Sequence, residues 1–361
     1  MTVYNFNAGP AILPRPVLEQ VQAEILDYQG RGMSIMEMSH RGKEYEAINA
    51  GAEHRFTTLL DLDADYRVLF LQGGASSQFA MLPMNFLASG HTADYLMTGA
   101  WSDKALEEAQ KIGSARNAGS PAEPGYHRVP RPDEVTLSDN SAYVHYTTNE
   151  TIHGVQYNYQ PDAGGRRLVA DMSSDILSRP FDAHKFSLIY AGAQKNLGPA
   201  GVTVVIVRED WLEQAPRSLP SMLRYATFAK NNSLYNTPPV FAVYVLNLVL
   251  GWISDQGGLT AIERRNTEKA RAVYDVIDRT EGFYRGHAER DSRSQMNITF
   301  RLPNEQLEQQ FVSAAQAQGM VGLAGHRSVG GIRASLYNAM DQAGAQALAA
   351  FMLDFADKHA A

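Results

Sequence analysis

The chain has 361 residues, with 32 Lys and Arg against 39 Asp and Glu and a formal net charge of −7. Hydrophobic residues make up 44% and charged residues 20%, a globular mix that excludes a disordered or collagen-like chain and allows about two domains. Cysteine is absent, which excludes disulfides, cysteine metal sites and thiol nucleophiles. The mild acidity, with no basic stripe, argues against a nucleic-acid partner.

Met1 to Pro16 lacks a cationic stretch followed by an apolar run, so no secretory signal is expected and the cytoplasm is the expected location. The first buried strand is predicted at Arg67 to Leu71, followed by a loop at Gly73 to Ser77 and a helix at Gln78 to Leu87. The same order recurs at Ala93 to Thr98, where Gly99 and Ala100 turn into a helix at Ser102 to Ile112, with Ser102 as its expected N-cap and Asp103 in its first turn. Further strands are predicted at Ala142 to Thr147, Leu168 to Ala170, Leu188 to Ala191 and Val202 to Val207. Strands alternating with helices predict an α/β protein with a mostly parallel sheet. Ligands bind such sheets beyond the carboxyl ends of the strands, which puts the turns at Gly73, Thr98, Thr147, Asp171 and Gly192 on one rim.

The apolar run Pro238 to Ile253 includes Asn247 and is shorter than the ~20 residues that span a bilayer, so it reads as a core helix and no membrane is expected. Gln256, Gly257 and Gly258 break it. A long polar helix (Leu259 to about Thr280), a strand (Met296 to Leu302), a helix (Glu305 to Gln318), a Gly-rich strand region (Val329 to Leu336) and an amphipathic helix (Gln342 to His359) follow. This tail reads as a smaller α+β domain, with the boundary near Gly257.

Lys195, in A-G-A-Q-K-N-L-G-P-A-G, directly follows an apolar strand. A lysine held on such a turn and buried loses basicity and becomes a nucleophile for carbonyls. Taken alone, it could as well be a surface lysine. Asp171 ends a strand on the same rim. A buried carboxylate beside a reactive lysine suits pyridoxal 5′-phosphate (PLP), whose ring nitrogen it keeps protonated; a turn or N-cap role is the alternative. The glycines of Gly73 to Ser77 allow close approach of a ligand, and the following helix start offers N–H groups to a phosphate. Neither a P-loop ending nor a dinucleotide fingerprint is present. Trp101 is a candidate for stacking on a ring, although core packing is the commoner role of Trp. His40-Arg41 and His326-Arg327 lie among small residues, and Arg333 follows six positions later. Arg presents a planar fork to carboxylate or phosphate, with surface ion pairing as the alternative. No H-E-x-x-H is present, so no metal is expected.

Taken together, these stretches resemble the phosphoserine aminotransferases, a fold-type I family of PLP-dependent transferases. The resemblance rests on F-N-A-G-P-A-I-L-P near the start, E-M-S-H-R-G from Glu37, G-G-A-S-S-Q-F from Gly73 and N-E-T-I-H-G from Asn149. It continues with D-M-S-S-D-I-L-S-R-P from Asp171, A-G-A-Q-K-N from Ala191, N-T-P-P from Asn236 and G-G-I-R-A-S-L-Y-N-A from Gly330. It implies a large domain at residues 16–257 and a small domain built from residues 1–15 and 258–361.

The resemblance further implies that Lys195 carries the cofactor, Asp171 pairs with the pyridine nitrogen, Trp101 stacks on the ring and Thr151 bonds the ring hydroxyl. Ala75, Ser76 and Gln194 would hold the cofactor phosphate, joined by Asn236 and Thr237 from the neighbouring subunit of a homodimer with shared sites. The family moves an amino group from glutamate to 3-phosphohydroxypyruvate, and many bacterial members also use the phosphorylated four-carbon oxo acid of vitamin B6 synthesis. Some members carry Arg where this chain has Ser76. Here the substrate phosphate falls to His40, Arg41, His326 and Arg327, with Arg333 left for the α-carboxylate. Which pair comes from which subunit stays open. A cysteine desulfurase is ruled out by the lack of Cys. Serine–glyoxylate-type transaminases would not need the two His-Arg pairs, and an inactive scaffold would not need Lys195, Asp171, Thr151 and Arg333 together.

Overall fold

The computed structural model describes residues 2–280 and 282–359. Seven strands form the central sheet: Tyr66–Leu71 (β1), Thr92–Leu96 (β2), Ala115–Gly119 (β3), Ser141–Thr147 (β4), Leu168–Asp171 (β5), Leu188–Gly192 (β6) and Thr203–Arg208 (β7). Across the sheet they run β1-β7-β6-β5-β4-β2-β3. All are parallel except β7, which is antiparallel to both of its neighbours. The expected mostly parallel sheet is present.

Both faces of this sheet are covered, which is why its strands read as continuous apolar runs. In β7, Val204 and Ile206 enter one core while Val205 and Val207 enter the other, the two-residue alternation of a strand. One core includes the apolar helix Val240–Asp255, whose Asn247 is satisfied by the Arg55 guanidinium. The other is rich in tyrosine. Tyr95 and Tyr143 join through their hydroxyls at 3.0 Å, and His145 Nε2 meets the Tyr190 hydroxyl at 2.8 Å. Burial pushes His145 down to about 3, so it stays neutral.

Two helix starts differ from expectation, and both lie on the rim. The helix after β1, Gly74–Phe86 (α1), begins four residues before Gln78, so the predicted loop at Gly73 to Ser77 is mostly helical. Gly73 and Gly74 make the turn, with φ 95° and 66°, and a Cβ on Gly73 would fall 1.9 Å from Ser77 Oγ. The helix after β2, Ala100–Ile112 (α2), takes Gly99 and not Ser102 as its N-cap. Ser102 lies three positions inside, where its hydroxyl accepts from the N–H groups of Thr98 (2.9 Å) and Gly99 (3.0 Å). The hydroxyl ties down the start of the helix from within.

After Asp255 the chain turns by 85° into Gly258–Arg279 (α3). Arg285–Gly286 (β8), Asn297–Arg301 (β9) and Ile332–Ser335 (β10) form an antiparallel sheet. Val329 to Gly331 lie outside the strand predicted there, because Gly330 and Gly331 turn with φ 68° and 72°. With the helices Glu305–Ala317 and Gln342–His359, this sheet builds a separate core around Ile298, Phe300, Phe311 and Leu348. Phe6 joins that core, because Tyr4–Asn5 pairs in parallel with Met320–Val321. Among the described residues no single helix is long and apolar enough to cross a membrane.

Candidate active site

Lys195 stands on the turn after β6. Its Nζ donates to Thr151 Oγ1 at 2.6 Å and lies 5.6 Å from the centroid of the Trp101 indole. Burial lowers the pKa of this amine, against the pull of the Asp171 and Glu150 carboxyls. Lowering makes the neutral, nucleophilic form more accessible near neutral pH. The amino-terminal loop packs on this turn: Ala11 N donates to Gln194 O at 2.9 Å, and a Cβ on Gly9 would lie 3.4 Å from Lys195 Cγ.

Asp171 closes β5 and is 4% exposed. Burial pushes its carboxyl up, while hydrogen bonds from Ser173 and the charge of Lys195 pull it back. The Ser173 N–H donates to Asp171 Oδ1 at 2.9 Å. Such a carboxylate is short of positive charge and suits a cationic ring nitrogen beside it.

Ala75 and Ser76 occupy the first turn of α1. By position, their N–H groups have no partner within the helix, so they are free to hold an anion. The Gln78 carboxamide anchors this turn from below by accepting from the Tyr225 hydroxyl at 2.7 Å. Asn236 and Thr237 lie against Gln72, just before Gly73: Asn236 Nδ2 donates to Gln72 Oε1 at 3.2 Å, and Gln72 Nε2 to Thr237 O at 3.3 Å.

Arg333, on β10, donates to Thr151 O at 3.3 Å, linking the carboxyl-terminal sheet to the Lys195 partner. Beside it lies a cavity of about 270 Å³ lined by Ile152, His153, His287, Thr299, Arg301 and His326. His326 Nδ1 meets Ser328 Oγ at 2.7 Å, and burial with the nearby Arg333 lowers its pKa.

Of the two His-Arg pairs only His326 reaches the Arg333 cavity; the other three side chains are not gathered with Lys195. Arg327 is exposed in a different hollow, alongside Glu305 and Glu308. His40 is half-buried with its Nε2 unpartnered, and Arg41 is exposed. The rim therefore brings together Lys195, Asp171, Thr151, Trp101 and Arg333, with the start of α1 on the same edge.

Sequence reasoning passed over one residue of this group. Glu150 lies between Asn149 and Thr151 and is fully buried; its carboxyl accepts from the N–H groups of Trp101 (3.1 Å) and Ile152 (3.2 Å). A single Glu inside N-E-T-I-H-G carries no local mark of burial.

This arrangement of a desolvated lysine, a buried carboxylate at a strand end and a free helix start agrees with the comparison to known proteins. The model of the aminotransferase class-V family matches residues 3–348. The chain belongs to the class-V aminotransferases. It is 61% identical to the phosphoserine aminotransferase of Herpetosiphon aurantiacus over 358 residues, 99% of each chain. It superposes on the solved phosphoserine aminotransferase of Bacillus circulans subsp. alkalophilus with a TM-score of 0.97 and 57% identity, covering 99% of both chains. The PLP-bound phosphoserine aminotransferase of Trichomonas vaginalis is 39% identical, with a TM-score of 0.93 over 98% of this chain and 100% of that one. This class-V member is a PLP-dependent transaminase of fold type I.

Its residues fit the cofactor. The Trp101 indole Nε1 is buried without a partner, the N–H groups at the start of α1 are free, and the Lys195 amine is desolvated.

Proposed function

We propose that the chain moves an amino group between glutamate and 3-phosphohydroxypyruvate in serine biosynthesis, and that it also accepts the phosphorylated four-carbon oxo acid of vitamin B6 biosynthesis. The observation that carries the reading is the Lys195 amine on the Thr151 hydroxyl, within a rim that also holds Asp171, Trp101 and Arg333. The names of the 61% and 58% identical relatives support the choice of substrate.

When bound, PLP supplies an electrophilic carbonyl and a ring that accepts electrons. Lys195 would hold it through its amine, and the same amine would serve as the base for the substrate α-proton. Asp171 supplies the negative charge that keeps a proton on the ring nitrogen. Thr151 orients the lysine and the ring hydroxyl, and Trp101 stacks on the ring. Ala75, Ser76 and Gln194 hold the cofactor phosphate with Asn236 and Thr237. Arg333 takes the substrate α-carboxylate, while His40, Arg41, His326 and Arg327 take the substrate phosphate, an assignment that needs these side chains, apart within one chain, to converge at the shared site of the dimer.

The reading includes a large domain (16–257), a small one (1–15 and 258–361), a cytoplasmic location and a homodimer with shared sites. The separate apolar core of the carboxyl-terminal elements supports the division. Leu26 (85% exposed), Met33 and Met36 present apolar side chains to solvent in the segment leading to His40 and Arg41, which favours a partner subunit covering that stretch. Hybrid dimers test the shared site. Mixing inactive Lys195→Ala and Asn236→Ala subunits restores part of the activity, since one site of the hybrid keeps both residues; a fully active monomer in sedimentation contradicts it.

Substrate selection is tested on the arginines. Each charge-assisted hydrogen bond contributes roughly 1.5–3 kcal/mol, so Arg327→Ala lowers kcat/KM for the phosphorylated oxo acid about ten- to a hundredfold. An uncharged oxo acid, poor from the start, changes little. Arg333→Ala instead damages every substrate, because all share the α-carboxylate. Equal losses for neutral and phosphorylated substrates in Arg327→Ala make that residue structural.

A further inference from the structure

Glu150 ends the short strand Asn149–Glu150, which pairs with Val155–Gln156 around a tight turn. The described residues place no lysine or arginine in ion-pair contact with it. Its two polar contacts are backbone N–H groups: Oε2 accepts from Trp101, the second residue of α2, and Oε1 from Ile152. Helix α2 starts on a glycine and has no N-cap side chain of its own. Gly99 cannot be replaced while Glu150 stays in place, because a Cβ there would lie 2.6 Å from Glu150 Cγ and 2.5 Å from His153 Nδ1. A serine or aspartate at the N-cap would satisfy this helix end without burying a carboxyl. The carboxyl from a distant strand does something that a local cap would not. It ties Trp101 to the turn that contains Thr151, and thereby to Lys195.

We propose that Glu150 is a positioning residue for the cofactor: through the N–H groups of Trp101 and Ile152 it holds the indole and the Thr151–Lys195 contact in one fixed arrangement. This rests on the reading of Lys195 and Trp101 given above. Groups facing Glu150 are Lys195 from the β6 turn, Asp171 from the end of β5, Arg333 from β10, Tyr126, and His153 on its own turn. Burial pushes the Glu150 carboxyl from 4.5 to about 8, with the Trp101 and Ile152 N–H groups and Lys195 pulling the other way. Burial thus favours the neutral form of this carboxyl well above the usual carboxylate range. The proton is bound more tightly in the folded state, so its stabilising contribution is complete below pH 4.5 and is lost as pH rises through about 8.

The test compares parent holoenzyme with Glu150→Gln, Glu150→Ala and, as a control at the same helix end, Ser102→Ala. Measurements are PLP affinity by quenching of tryptophan emission, visible circular dichroism of the bound cofactor, and thermal midpoint of the apoprotein. Gln keeps the shape but sets an NH2, which can only donate, against an N–H that an oxygen of the carboxyl accepts from in the parent, so both Glu150 variants weaken PLP binding about tenfold or more and lower the dichroism amplitude. Ser102→Ala lowers the thermal midpoint with both cofactor signals unchanged. The parent dichroism shows a transition near pH 8 that Glu150→Gln lacks, and the midpoint of Glu150→Gln improves relative to the parent as pH rises from 5 to 9. If Glu150→Gln loses only thermal stability, with parent affinity, dichroism and pH profile, the residue is a plain helix cap and the proposal is overturned. The underlying reading fails by a different result: Lys195→Ala retaining the parent visible band removes the lysine assignment and this proposal with it.

Discussion

Lys195→Ala, purified and supplied with PLP, transfers no measurable amino group from glutamate, a loss of about 10⁴-fold or more, because the proposed mechanism asks one side chain to be both nucleophile and base. The fold survives the change. Lys195 lies on a turn at the sheet rim, and the hydrogen bond of its amine goes to the Thr151 hydroxyl. Removing an amine whose charged form is disfavoured by burial leaves the thermal midpoint of the apoprotein within a few degrees of the parent. Turnover and a melting curve on the same preparation check both halves. Near-parent turnover without added amines assigns the chemistry to another residue.

Asp171→Asn binds PLP but loses about a hundred- to a thousandfold in turnover. The amide keeps the shape and still accepts from the Ser173 N–H, so the site is preserved. What disappears is a negative charge in a place 4% exposed to solvent. A charge pair ~4 Å apart at an effective dielectric of ~20 is worth about 4 kcal/mol, close to a thousandfold in rate. The check is α-proton exchange from glutamate, which isolates the step that needs a protonated ring. Exchange at the parent rate makes Asp171 structural.

The rim was legible in the sequence because strand, turn and helix repeat from Arg67 to Val207, and parallel sheets expose their carboxyl ends on one side. Lys195 and Asp171 follow the apolar strands that place them there. The start of α1 was not legible. Gly73 to Ser77 looks like a loop by composition, yet only the two glycines turn, with φ 95° and 66°, and Ala75 to Ser77 already belong to the helix. Ser102 satisfies the usual N-cap preference but acts from inside the helix, since Gly99 must stay bare beside Glu150 and His153. Strand β3, A-R-N-A-G, shows no apolar alternation. It is a polar edge strand set by pairing with β2 and by the 3.0 Å Arg116–Asp94 ion pair. Adjacency in sequence also misled for His326-Arg327. The turn sends the histidine toward the Arg333 cavity and the arginine toward Glu305 and Glu308. Glu150 was hidden for a similar reason, because its burial depends on Trp101, 49 positions away.

The most direct measurement is the rate of amino transfer from glutamate, under identical conditions, to 3-phosphohydroxypyruvate, to the phosphorylated four-carbon oxo acid and to hydroxypyruvate, which has the same three-carbon skeleton without the phosphate. Four His and Arg side chains assigned to one dianionic group, each contributing roughly 1.5–3 kcal/mol, predict that kcat/KM for either phosphorylated acid exceeds that for hydroxypyruvate by at least about a thousandfold, and that Arg327→Ala narrows the gap. Equal efficiency with hydroxypyruvate and its phosphorylated form contradicts the account and returns the chain to a class-V transaminase of a different substrate class.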